Sequence, residues 1–258
     1  DHPDRHDFSI ASLKLPSGVG LERLAGRRGL LEQLEQTSRL VERSAQARSL
    51  DQFYERALDM VLAPKTRQAF DLGRVPEAER WRYGWHTFGQ SVLMARRLIE
   101  AGVKLVTVYW HRERRTIDTT WDTHSRNFYE LKDRLMPSVD RPIAALLEDL
   151  ENTGLLEETL VVWNSEFGRT PKINKTVGRD HYPRAGNVLL AGAGVKGGVV
   201  IGATDPNGAA PLTRPWSPAD FGASIYHALG IDAETTYFPR LPRPTKIAEG
   251  QVIDGLFA

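Results

Sequence analysis

The sequence predicts an α/β protein with a mostly parallel sheet flanked by helices, and three observations carry that prediction. First, short apolar runs at residues 103–110 (VKLVTVYW), 159–163 (TLVVW) and 187–191 (NVLLA) have the length of strands rather than helices. In the second run Val161, Val162 and Trp163 are β-branched or aromatic and do not alternate with polar residues, as in a strand covered on both faces. Second, the segment between the first two runs carries apolar residues at helical spacing. Strand, helix and strand then follow one another as in a βαβ unit, whose crossover is almost always right-handed. Third, the run at 159–163 stops abruptly at Asn164-Ser165-Glu166. Open α/β sheets collect their ligands at such strand ends, where the loops are free to diverge.

Residues 1–20 are polar, contain Pro3 and Pro16, and read as an extended lead-in. Residues 21–82 read as a helical hairpin and a connector. In its first arm, 21–47, Leu24, Leu31, Leu34 and Val41 recur on one helical face, weakened by Gly26 and Gly29. The second arm starts at a capping box, Ser49 with Gln52, runs through Phe53, Ala57 and Val61, and ends at Pro64. The hairpin holds too few apolar repeats for a coiled coil and is expected to pack onto the main domain. A polar connector follows at 65–82.

Residues 83–258 form the α/β core portion. Its first helix, 87–101, turns Val92, Leu93, Leu98 and Ile99 inward and stops at Gly102. The strand at 103–110 leads into a polar loop, and a helix at about 128–152 follows, interrupted by Pro137 and Pro142 and closed by Gly154. Gly192, Gly194 and Gly197 spell G-x-G-x-x-G. A strand-like Val199–Ile201 follows them where a dinucleotide site needs a helix, so they read as turn glycines. Ser217-Pro218-Ala219-Asp220 starts the last helix, with Ser217 as N-cap and Pro218 at the first helical position. The tail at 252–257 is expected to fold back as an anchored end.

Lys and Arg (34) nearly cancel Asp and Glu (33), so the overall charge points neither to nucleic acid nor to an anionic membrane. No apolar run reaches the roughly 20 residues that span a bilayer. With no cysteine in the chain, a metal site has to use oxygen and imidazole nitrogen. The first residue is Asp1, which suggests a processed product or a piece of a longer protein.

Carboxylates and imidazoles gather in the loops expected at one sheet edge. Asp122 and His124, two apart in WDTH, share a side if that stretch is extended and then suit one ion. Taken alone, Asp122 also reads as a helix cap, His124 as a surface histidine and Glu166 as a solvated carboxylate. Glu166 follows the strand at 159–163, and Asp180 and His181 follow in GRDHY. Asp122, His124, Glu166, Asp180 and His181 are expected to share one divalent metal site, zinc or calcium, with Asp122, His124, Glu166 and His181 as the ligands and Asp180 and Arg179 as secondary candidates. Arg169 or Lys172 would hold an anionic substrate group.

The stretches WDTHSRNFYELKDRLMP, LLEDLENTGLLEETLVVWNSEFGRTPKIN, GRDHYP, AGAGVKGG and SPADFGASIYHALGID resemble the C-terminal half of a bacterial, planctomycete-type family. That family is sulfatase-like, belongs to the alkaline phosphatase superfamily and is labelled a domain of unknown function. The resemblance runs from about Phe8 to the end. It implies a partial alkaline-phosphatase/sulfatase-like fold and a metal-dependent hydrolase of small phosphate or sulfate esters. It also implies export from the cytoplasm. Asp122, His124 and His181 resemble superfamily metal ligands. Glu166 stands for the Asp of an Asp-His pair, and Phe167 replaces its His and is expected to point away from the site. The superfamily nucleophile resembles nothing in this chain and is expected upstream of Asp1, leaving the chain alone inactive. The competing reading is a non-catalytic binding or structural relative, in which an Arg169 or Arg179 salt bridge fills the site.

Overall fold

The structure is a computed structural model that describes residues 2–10, 17–37, 63–111, 120–232 and 246–257. They gather into two compact units, Asp1–Asp118 with Ser138–Leu146, and Thr119–Pro137 with Leu147–Ala258. Helices and small antiparallel ladders make it an α/β chain. Among the described residues no helix is long and apolar enough to cross a membrane.

In the first unit, α1 spans Leu21–Thr37. The second hairpin arm, 49–61, lies outside the described residues. Pro64 begins a helix: α2 (Pro64–Ala69) has it in the first turn, where a missing N–H costs nothing. The expected connector is largely helical, since a 3₁₀ turn at Leu72–Arg74 and α3 (Glu77–Arg82) follow. In α3, Glu77 and Glu79 lie at the N-terminal end and Arg80 and Arg82 at the other, complementing the helix dipole. Helix α4 (Thr87–Glu100) matches its sequence limits, and Gly102 leaves it at φ +90°. Leu72, Val75, Tyr83, Val92, Leu93 and Ala145 form this unit's core, so Tyr83 is packed inside the unit rather than at its edge. Buried Arg80 donates to Gln90 Oε1 at 2.7 Å, and Gln90 Nε2 donates back to the Arg80 carbonyl at 2.9 Å. This reciprocal pair fixes α3 to α4. The run at 103–110 is not a strand among the described residues. Its burial alternates, with Leu105 and Tyr109 exposed and Val108 on the core, so one face is covered rather than two.

The second unit holds α5 (Asn127–Glu130) and a π-turn (Leu131–Leu135), which runs into α6 (Met136–Asn152), a helix whose residues 138–146 belong to the first unit. The π-turn precedes Pro137, whose missing N–H and bulky ring disfavour the ordinary helical register at that point. Strand β1 (Val161–Asn164) pairs with β4 (Val188–Ala191), and between them β2 (Gly168–Arg169) pairs with β3 (His181–Tyr182). Both ladders are antiparallel, with Val161 opposite Ala191 and Arg169 opposite His181. The expected parallel pairing of these runs is therefore corrected. A parallel connection needs a crossover of helical size, whereas residues 165–187 hold only turns and the small β2–β3 ladder and bring the chain straight back. Coverage is partial too, since Val188 and Leu189 are exposed.

The glycine stretch after β4 is a turn, with Gly192 and Gly194 at φ +81° and +77° and no helix behind it. A Cβ on Gly192 would fall 2.2 Å from the Thr159 carbonyl oxygen. Helix α7 (Pro218–Ala228) begins with a complete capping box between Ser217 and Asp220. The tail folds back onto it, as expected. Gln251 N–H donates to Asp220 Oδ1 at 2.8 Å and Ile253 N–H to Ser224 Oγ at 2.9 Å.

Candidate metal centre

The site is built within the second unit by two chain segments. One is the β2–turn–β3 hairpin, whose two-residue ladder sets Arg169 opposite His181. The other is the stretch 120–127. Three backbone bonds fasten them together: Arg179 N–H to Thr123 O at 3.1 Å, Arg126 N–H to Thr176 O at 3.1 Å and Asn127 N–H to Val177 O at 2.9 Å. The approach is so close that a Cβ on Gly178 would lie 2.0 Å from the carbonyl carbon of His124. Val177, at φ 58°, holds a left-handed conformation that β-branched residues rarely adopt.

Three side-chain atoms meet above this junction. His181 Nε2 lies 2.8 Å and His124 Nε2 2.9 Å from Asp122 Oδ1, and the two imidazole nitrogens are 3.2 Å apart. Asp122 and His124 reach one side through tight turns rather than an extended strand. Thr123 N–H donates to Trp121 O and His124 N–H to Asp122 O. On its far side His124 Nδ1 meets Asp180 Oδ1 at 2.7 Å. Arg169 Nη2 donates to Asp122 Oδ1 and to Trp121 O, each at 2.9 Å. The His181 hydrogen bond first, and then the Arg169 one, pull the Asp122 carboxyl down to about 2. Asp180 is lowered as well, chiefly by His124 and then by Asn174.

This donor set fits a transition-metal ion. Nitrogen and oxygen ligands about 2.0–2.2 Å from one tetrahedral zinc are roughly 3.3–3.6 Å from each other, so the observed triangle, with sides of 2.8, 2.9 and 3.2 Å, has to open by about half an ångström to hold one. Relative exposures of 54%, 44% and 47% for the side chains of Asp122, His124 and His181 leave the triangle open to solvent. Three protein ligands with an open position are the pattern of catalytic rather than structural zinc.

Of the residues singled out in the sequence, Asp122, His124 and His181 come together, and among the described residues they form the group with metal-ligand spacing. Glu166 is not in it. It lies exposed at the bend after β1. The β2–β3 ladder instead brings the next residue to the site: the Phe167 ring packs on His181, centroids 4.3 Å apart. Phe167 was expected to point elsewhere and instead walls one side. Arg169 was expected to hold substrate, but its guanidinium is engaged by Asp122, Trp121 O and Arg179 O. Lys172 is exposed, and its carbonyl accepts the Thr170 hydroxyl. Arg179 does not enter the triangle; it donates to Thr170 O and lies 5.8 Å from the Phe128 ring. Asp180 touches His124 from outside. Asn174 was not singled out in the sequence, although NKTVG, with Asn174, Thr176 and Gly178, is rich in turn-forming residues. Nearby threonine hydroxyls are committed internally, Thr123 to Asn127 and Thr176 to the His124 carbonyl.

Over residues 2–257 the chain matches the family described as "Protein of unknown function (DUF1501)". No curated protein and no solved structure matches it.

Proposed function

We propose that this chain, which belongs to the DUF1501 family, binds a divalent ion of the zinc type between Asp122, His124 and His181, and that the ion serves hydrolysis of a phosphate or sulfate ester. The observation that carries the reading is the triangle of one carboxylate oxygen and two imidazole nitrogens, all within 3.2 Å of one another. Each of these atoms can offer a lone pair, and an ion bound between them would displace the hydrogen that His181 Nε2 shares with Asp122. Two imidazoles favour zinc over calcium, which takes six to eight oxygen ligands. When bound, such an ion supplies Lewis-acid stabilisation of the charge that develops on an ester oxygen. The chain's own residues do the holding: Arg169 anchors Asp122 and Phe167 backs His181. WDTH and GRDHYP, two of the motifs that resemble sulfatase-like proteins, are the two segments that meet here, which supports the ester assignment.

A second reading is favoured by the Arg169–Asp122 ion pair. In it the cluster is a hydrogen-bonded remnant in a non-catalytic relative. Calorimetric titration of the chelator-treated chain with zinc separates the two. The expected result is one ion per chain, with affinity at least about 100-fold lower in His181→Ala and unchanged in Glu166→Ala. Absence of zinc binding overturns the metal reading in favour of the remnant. Titration of the zinc-loaded chain with inorganic phosphate and sulfate then tests the ester assignment, which falls if neither oxyanion binds.

A further inference from the structure

We infer that Asp180, itself held by Asn174, is a positioning residue that sets the ring tautomer of His124 and so presents Nε2 to the ion; this rests on the metal reading above. The argument starts with Asn174. Its Oδ1 accepts two backbone hydrogen bonds, from Gly178 N–H at 2.8 Å and Thr176 N–H at 3.0 Å. An oxygen so placed fixes which way the amide faces. Its Nδ2 therefore donates on the other side, to the His124 carbonyl at 2.9 Å and to Asp180 Oδ1 at 3.1 Å. One side chain thus ties the turn at 174–178 to both the backbone of His124 and the carboxylate that faces its ring.

That carboxylate oxygen lies 2.7 Å from His124 Nδ1. An ionised carboxylate only accepts, so Nδ1 carries the hydrogen. In the neutral ring Nε2 then bears the lone pair, and Nε2 is the atom that faces Asp122 Oδ1 and His181 Nε2. Without Asp180 the ring is free to hold its hydrogen on Nε2 or to turn over, and either change removes a ligand. Carboxylate partners of this kind also make the ligand nitrogen a stronger donor, and their loss typically weakens metal binding about 10–100-fold. Asp180 adjoins His181 in the chain, so one dipeptide supplies a ligand and the orienting group of the other imidazole.

The test uses the full chain labelled with ¹⁵N. Two-dimensional histidine spectra of the metal-free protein in alkaline solution, where the imidazole rings are neutral, should show His124 as the Nδ1–H tautomer in the wild type and as a mixture in Asp180→Asn. Zinc affinity should fall about 10–100-fold in that variant while the backbone spectrum stays native. Asn174→Asp, which sets a carboxylate against Asp180 and the His124 carbonyl, should shift the tautomer in the same direction, and Asp180→Glu should restore part of the affinity. If Asp180→Asn keeps both the tautomer and an affinity within twofold of the wild type, the inference fails while the metal site stands. If the wild type binds no zinc, the metal reading fails with it, and an unchanged tautomer in Asp180→Asn removes the orienting role as well.

Discussion

His181 Nε2 and Asp122 Oδ1 lie 2.8 Å apart although 59 positions separate the two residues in the chain. The contact depends on two independent fits. The β2–β3 ladder aims His181, and the 120–127 segment is pressed against the turn at 174–178.

Gly178→Ala tests the close approach. Gly178 is not among the positive-φ glycines, so alanine meets no conformational penalty there, and the cost is entirely the 2.0 Å collision with the His124 carbonyl. Overpacking of this kind costs about 1–3 kcal/mol. Urea unfolding should show a loss of that size, with weaker zinc binding as His124 is displaced. Unchanged stability would mean that the two segments can part without penalty.

Phe167→Ala separates wall from ligand. Removing a ring that packs on His181 should cost about 1 kcal/mol by the usual worth of aromatic pairs, seen as a lower urea midpoint. Zinc affinity should change less than about tenfold, far less than in His181→Ala, because no ligand atom is lost. A loss equal to that of His181→Ala would show that the ring's contact is what keeps the imidazole in place.

The carboxylates make the unit sensitive to acid. Asp122 is depressed from 3.8 to about 2 and Asp180 is also lowered, so their ionised forms are favoured by folding. Such groups contribute stability in full above the unfolded value near 4, and the contribution is lost as pH falls toward 2. Denaturation midpoints measured between pH 5 and 2 should therefore drop more steeply in the wild type than in Asp122→Asn. Part of the drop should remain in the variant, because Asp220 at α7 is depressed to about 2 by Gln251 and Ser217. Parallel curves for the two proteins would contradict the assignment.

The capping box at α7 gives a stability prediction that does not involve Asp122, His124 or His181. Ser217→Ala removes the acceptor for Asp220 N–H and should cost about 1 kcal/mol. Asp220→Ala should cost more, because Gln251 N–H and Ser217 N–H lose their acceptor together and the tail at 250–257 loses an anchor. Thermal unfolding of the pair checks the order. Equal midpoints would show that the tail is held by Ser224 and close packing at Gly250 without Asp220.

What the sequence alone determined is local. Helix α4 and its stop at Gly102, the Ser217 cap, the break before Pro137 and the turn glycines of 192–198 depend on backbone chemistry within a few residues of each signal. The residue types of the cluster were legible for a related reason: a chain without cysteine offers a metal only oxygen and imidazole nitrogen, and WDTH and GRDHY set both in polar loops. Three of the four expected ligands converged. Tertiary structure alone decided the rest. Strand direction depends on which segments find one another, and the turns of 165–187 return β4 against β1, antiparallel. The bend that leads into β2 brought Phe167 rather than Glu166 to His181. Arg169 became an anchor for Asp122, and Asn174 the tie between a turn and a ligand, through contacts across 47 and 50 positions. No local preference encodes such contacts, since each exists only after two distant segments have packed.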